Sequence, residues 1–181
     1  MIDAPSLYQP FYCEENIWHL AGRFAADDAR VVFISNPSRQ CLLLGQRAGG
    51  ESAGEVVWDY HVVLFARDVE GWQVWDLDCT AGAPLPARRW VDGTFALDGH
   101  TPSAFDPKCR LIVAATFVAR FASDRRHMRA AAGGWQAPPP PWPPIGDGFN
   151  LMRWVDLDDR SMPGEIVDLA GLRARFGLGP T

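Results

Sequence analysis

Val56-Val57-Trp58-Asp59-Tyr60-His61-Val62-Val63-Leu64-Phe65-Ala66 and Trp72-Gln73-Val74-Trp75-Asp76-Leu77-Asp78 flank Arg67-Asp68-Val69-Glu70-Gly71. Both arms are rich in β-branched and aromatic residues, and the link between them carries Asp and Gly. That pattern predicts two strands joined by a hairpin loop. Alternation along residues 56–66 puts Val57, Asp59, His61, Val63 and Phe65 on one face. With the turn centred on Asp68 and Val69, position 61 faces position 76. Cross-strand Cβ atoms lie roughly 5 Å apart, so Asp76 is expected to hold the Nδ1–H of His61 and leave Nε2 free. A register shifted by two residues offers Asp78 instead.

Working outward, Ile17, Leu20, Ala21 and Phe24 make the i, i+3, i+4, i+7 stripe of an amphipathic helix from Glu14 to about Ala25. Glu14 and Glu15 suit the positive end of its dipole. Val31 to Ser35 reads as a short strand, the turn signal Asn36-Pro37-Ser38 ends it, and Cys41 to Gly45 reads as a returning strand. Residues 80–108 carry many Pro, Gly and Asp and read as an ordered excursion. Leu111 to Phe117 predicts a buried strand running into a short helix through Arg120, with a helix over the whole run as the alternative. Pro138 to Pro144 is expected to lie extended. Glu165-Ile166-Val167 predicts a short strand, after which Asp168 caps a last helix closed by Gly177. The order is that of an α+β fold.

Composition narrows the function classes. The chain has 181 residues, 48% apolar and 22% charged, which predicts a single globular domain over 1–181. It contains no apolar run of about 18 residues, so no membrane span is expected. Met1-Ile2-Asp3-Ala4-Pro5 lacks the marks of a secretory signal. A cytoplasmic location and free thiols at Cys13, Cys41, Cys79 and Cys109 follow as expectations. The net charge of -5 argues against a nucleic-acid partner.

Cys13 stands where the extended Gln9-Pro10-Phe11-Tyr12 meets the first helix. Unpaired N–H groups there favour a thiolate and offer donors to an oxyanion. Glu14 and Glu15 oppose ionisation, so a neighbouring imidazolium is needed to hold the sulfur charged. Cys13, His61 and Asp76 together are the parts of a thiol acyl-transfer site. Gly50-Glu51-Ser52-Ala53-Gly54 matches a serine-hydrolase string but precedes a strand rather than a helix, so it reads as a loop. Cys79, Cys109, His100 and His127 match no zinc-site spacing.

Cys13-Glu14-Glu15-Asn16-Ile17-Trp18, Val32-Phe33-Ile34-Ser35-Asn36, Trp58-Asp59-Tyr60-His61-Val62, Asp76-Leu77-Asp78, Phe121-Ala122-Ser123-Asp124-Arg125 with His127-Met128, and the tract from Pro138 to Pro144 occur in one order from about Tyr8 to Phe176. In these blocks the chain resembles the protein N-terminal glutamine amidohydrolase family. The resemblance implies a papain- or transglutaminase-like core, a mainly antiparallel sheet in a three-layer α-β-α sandwich. It also implies Cys13 as nucleophile, His61 as base and Asp76, rather than Asp78, as orienting acid. The implied reaction turns an N-terminal glutamine of a protein or peptide into glutamate and ammonia through a thioester. It needs no metal or organic cofactor, no nucleic acid and no membrane, and a monomer is expected.

Selectivity for a chain terminus calls for acids near the site. Glu14, Asp59 and Asp124 are the candidates, with Ser123 beside the last. Departures from the family pattern fall at Leu42-Leu43-Leu44-Gly45-Gln46, where a Trp is usual near the Gln, at Cys79 for Thr and at Arg126 for Ser. They bear on the pocket lining. Two other classes use the same parts: a related protease, transglutaminase or internal-glutamine deamidase, and a silent binding module for N-terminal residues.

Overall fold

The computed structural model describes residues 7–24, 28–50, 55–96 and 101–179. In chain order the strands are β1 (Ala29–Ser35), β2 (Cys41–Leu43), β3 (Val56–Trp58), β4 (His61–Asp68), β5 (Gly71–Trp75), β6 (Leu85–Pro86), β7 (Lys108–Val113) and β8 (Glu165–Asp168). The helices are α1 (Cys13–Ala21), α2 (Ala87–Thr94), α3 (Ala114–Arg120), α4 (Leu151–Val155) and α5 (Leu169–Phe176). Six strands form one sheet in the order β6-β5-β4-β1-β7-β8, and each neighbouring pair is antiparallel. The fold is α+β, as expected.

Both faces of the sheet are covered. Val31 and Phe33 of β1 share a core with Ile17 and Leu20 of α1, Phe117 of α3 and Trp154 of α4. Val32 and Ile34, which point the other way, share a second core with Trp90 and Val91 of α2 and Phe176 of α5. Period-two alternation along one strand thus serves two apolar layers, which is why β1 reads as an unbroken apolar run. Asp168 accepts from the Gly171 N–H at 2.8 Å, and Gly177 closes α5 with φ +65°, as the capping pattern predicts. No helix among the described residues is long and apolar enough to cross a membrane.

Several expectations are corrected. The long strand over residues 56–66 is two strands in two sheets, because the chain turns at Asp59 and Tyr60. Asp59 accepts from the Tyr60 N–H at 3.0 Å while its carbonyl takes the Ser35 hydroxyl at 2.8 Å. Asp59 is therefore not on the strand face that carries His61. β2 returns against β3 rather than β1. The hairpin loop is two residues, Val69 and Glu70, with Asp68 opposite Gly71 and Leu64 opposite Trp75. That is the register shifted by two residues from the expected one. Gly71 takes φ +119°, open to it at little cost because it has no Cβ.

Helix α1 stops at Ala21, where the Gly22 N–H reaches back to the Trp18 carbonyl. The segment from Gln9 to Tyr12 is a turn rather than extended, closed by the Tyr12 N–H on the Gln9 carbonyl. Residues 80–108 hold α2, whose buried Ala87, Trp90, Val91 and Thr94 have helical spacing directly after Pro86. The serine-hydrolase string lies mostly in residues 51–54, and His100 at position 100, both outside the described residues.

Candidate active site

Cys13 opens α1. Ahead of it, Phe11 takes φ +67° in the turn after Pro10, a strained conformation for a residue with a Cβ. Asn16 pins this turn to the helix: its Oδ1 accepts from the Gln9 N–H at 3.0 Å and its Nδ2 donates to the Gln9 carbonyl at 2.9 Å. Cys13 packs with Tyr60 and Val62, the two neighbours of His61. Helix geometry leaves the first N–H groups of α1 without intrahelical partners beside the sulfur.

His61 begins β4 and is buried. Its Nε2 lies 2.9 Å from Asp76 Oδ1, and Trp58 stacks on the ring at 5.6 Å. The ring nitrogen is the opposite of the expected one. Asp76 lies just beyond the last paired residue, Trp75, where the Cys79 N–H meets the Asp76 carbonyl in a turn. That turn, not cross-strand pairing, brings the carboxylate to the imidazole. Nδ1 is buried and takes no hydrogen bond among the described residues, so it is the nitrogen free to take a proton.

Asp76 is held by more donors than the sequence reading foresaw. Gln46 Nε2 and Trp90 Nε1 each donate to Oδ2 at 3.0 Å, and the Asp78 N–H donates to Oδ1 at 3.1 Å. Burial pushes the Asp76 carboxyl up, but His61 and these donors more than reverse it and hold it below its usual range. For His61, burial pulls the imidazole down while Asp76 pushes it up, and the net is upward. His61, Asp76 and Asp78 present ligand atoms within 4.8 Å of one another. The N–H donors aimed at Asp76 suit a carboxylate and repel a cation, so the cluster reads as a hydrogen-bonded relay.

Cys13 opens on a cavity of about 490 Å³ whose wall includes Trp58, Asp59, Asp78, His127 and Met152. Burial pushes the thiol well above its usual range, with Glu14 and Asp78 adding to the effect and the Val62 N–H opposing it. Its sulfur sits 3.7 Å from Glu14 Oε2, which also accepts the Tyr60 hydroxyl at 3.1 Å. Glu14 Oε1 faces His127 Nε2 at 3.3 Å. Glu14 is thus against the Cys13 thiol, fully buried.

The remaining expected residues divide. Asp59 lines the cavity. Ser123 is buried away from it, its hydroxyl accepting from the Arg125 N–H at 3.3 Å. Asp124 lies at the surface in an ion pair with Arg126, which holds its carboxyl below the usual range. Cys79 and Cys109 belong to the core on the other face of the sheet, apart from His127 in the cavity. Gln46, Tyr60, Trp90 and His127 were missed as site residues. Gln46 had a signal, a lone polar side chain ending the run Leu42-Leu43-Leu44-Gly45.

The sequence profile described as N-terminal glutamine amidase matches residues 8–176. Over 181 residues the chain is 34% identical to "Protein N-terminal glutamine amidohydrolase" of Homo sapiens, covering 94% of this chain and 88% of that protein. The protein of the same description from Arabidopsis thaliana is 38% identical over 165 residues, covering 83% of this chain and 75% of its own length. One from Drosophila virilis is 36% identical over 183 residues, covering 96% and 89%.

Proposed function

The chain belongs to the N-terminal glutamine amidase family, and from that membership we propose that it converts the N-terminal glutamine of proteins or peptides to glutamate with release of ammonia. The observation that carries the reading is the buried His61–Asp76 hydrogen bond, with Tyr60 and Val62 on either side of His61 sharing a core with Cys13, which itself lines a cavity large enough for one side chain.

In the proposed mechanism the glutamine side chain enters with its amide carbon at the Cys13 sulfur. His61 Nδ1 takes the thiol proton as the sulfur attacks, while Asp76 accepts from Nε2–H and stabilises the imidazolium that forms. Backbone N–H groups at the start of α1 meet the oxyanion. His61 then gives its proton to the departing nitrogen, ammonia leaves, and a γ-glutamyl thioester remains on Cys13. With ammonia gone, His61 takes a proton from water as the water oxygen attacks the thioester carbonyl, the C–S bond breaks, and His61 returns the proton to the Cys13 sulfur, releasing the glutamate side chain and restoring the thiol.

Terminal specificity follows from negative charge on the cavity wall, which favours a free α-ammonium. Asp59 stands in that wall, and Glu14 adds its field from behind Cys13. Ser123 and Asp124 lie outside it and act at most at a distance.

Ammonia release is the deciding assay, run on a Gln-initiated peptide, an Asn-initiated one, the Gln peptide acetylated at its amine, and one with only internal Gln. Turnover of the first alone is expected. Cys13→Ala is expected to lower it by about 10⁴-fold or more. Equal turnover of the acetylated or internal-Gln peptide would move the chain to a broader deamidase or transferase class. No turnover of any would favour a binding module.

A further inference from the structure

Asp78 is only 3% exposed, yet it forms part of the wall of the cavity that holds Cys13. Its Oδ1 accepts the Tyr8 hydroxyl at 2.8 Å, and among the described residues its Oδ2 takes no hydrogen bond. No cation pairs with it among those residues. Arg47, close in space, spends its Nε on the Leu77 carbonyl and lays its guanidinium over the Tyr8 ring at 5.6 Å. Burial pushes the Asp78 carboxyl up, and His61 and the Tyr8 hydroxyl recover only part of that. A buried carboxylate with one oxygen unused and no cation paired to it among the described residues is costly to keep, and a cationic ligand relieves the cost.

Position supports the same ligand. Ligand atoms of Asp78, His61 and Asp76 lie within 4.8 Å of one another, so the carboxylate is adjacent to the imidazole. In glutamine the α-nitrogen is four bonds from the side-chain amide carbon, about 5 Å when extended. A substrate with that carbon at Cys13, beside His61, therefore has its α-nitrogen within reach of Asp78. Asp59 is a poorer partner because it is exposed and screened, and its Oδ1 already takes the Tyr60 N–H. Glu14 is absent from the cavity wall: its Oε2 takes the Tyr60 hydroxyl and the Cys13 thiol, and its Oε1, which makes no hydrogen bond among the described residues, faces His127 Nε2 at 3.3 Å.

Resting on the activity proposed above, we infer that Asp78 is the specificity-determining residue of this site, its free carboxylate oxygen receiving the α-ammonium of the N-terminal glutamine while the Tyr8 hydroxyl holds the other oxygen in place. An internal glutamine brings an uncharged amide to that position, and its chain continues into the carboxylate. It is rejected both for charge and for space. The ion pair has a second effect. It cancels negative charge that opposes the Cys13 thiolate, so binding the correct terminus also favours attack.

The test uses the full chain with Cys13→Ala, which binds without turnover, and two peptides: one beginning with glutamine, the other identical but with hydrogen in place of the α-amino group. Isothermal titration calorimetry of each is repeated with Asp78→Asn and Asp78→Glu added. Asn keeps the acceptor for Tyr8 and the backbone N–H on Asp76, and removes only the charge. Asp78→Asn is expected to weaken the amine peptide about 30-fold or more and the desamino peptide much less, with Asp78→Glu recovering part of the preference. In the Cys13-containing protein, Asp78→Asn is expected to speed labelling of the free thiol by iodoacetamide. Equal weakening of both peptides, or of neither, overturns the assignment. Wild-type failure to release ammonia from the glutamine peptide overturns the activity and the assignment together. Release combined with an amine preference that survives Asp78→Asn overturns the assignment alone.

Discussion

At Cys13, burial and charge act against the helix start. The N–H groups of α1 favour a thiolate, but desolvation and the carboxylates of Glu14 and Asp78 outweigh them and push the thiol well above its usual range. On the proposed mechanism His61 is then a base that takes the proton during attack, rather than one half of a resting ion pair. Two pH profiles follow. Iodoacetamide labelling of Cys13 should climb with pH and show no plateau below neutrality; a plateau in acid means a thiolate–imidazolium pair and removes this reading. The value of kcat/KM should rise as His61 loses its proton, at a pH above its ordinary 6.5 because its net shift is upward. It should fall near pH 8 as the substrate's α-ammonium, with a pKa of about 7.7–8.0, deprotonates. At this scale the place of Cys13 at the start of α1 and the pairing of His61 with Asp76 were legible in the sequence. The ring nitrogen was not, because it depends on a turn after β5 and not on strand alternation.

Between elements, the Glu15–Arg125 pair ties α1 to the Pro-rich tract. Arg125 Nε and Nη2 donate to the two Glu15 oxygens at 2.9 and 2.8 Å, and Trp142 Nε1 adds a third donor at 2.8 Å. Nη2 also reaches the Trp142 and Pro143 carbonyls. Both charges are buried, so removing one strands the other. Glu15→Gln is expected to cost about 3–5 kcal/mol, which for a chain of this size lowers Tm on the order of 10 °C. Thermal unfolding followed by circular dichroism checks it, and a shift under about 2 °C would show that the pair contributes little net stability. The acid at position 15 was read only as a dipole partner for α1. Its true partner lies 110 residues away, beyond any local pattern. Helix α2 is the opposite case: its stripe at Ala87, Trp90, Val91 and Thr94 was present in the sequence, but the surrounding Pro, Gly and Asp masked it.

For the whole molecule, β1 is the centre of gravity. It is paired along both edges, with β4 and β7, and covered on both faces by separate cores. Its amides should open only with global unfolding and exchange slowest in hydrogen–deuterium exchange. Amides of β6 and β8, at the two ends of the strand order, should exchange faster. Equal protection of β8 and β1 would show that the sheet opens as one unit. The site lies where this rigid layer ends, with the start of β4 and the turn after β5 meeting the first turn of α1. Such placement keeps Cys13, His61 and Asp76 on elements with little freedom to drift.

Local pattern alone sufficed for the strand-forming arms, the amphipathic first helix with Cys13 at its start, the histidine–acid pair and the caps of the last helix. Each of those rests on residues within a few positions of one another, where periodicity and turn chemistry act. Only the tertiary structure decided the two-residue register shift, the break at Asp59, the Nε2 contact to Asp76, and the surroundings of Asp78. These depend on partners such as Gln46 for Asp76, 30 residues apart, and Tyr8 for Asp78, 70 apart. Packing brings those partners together, and packing minimises the free energy of the whole chain rather than of any one segment.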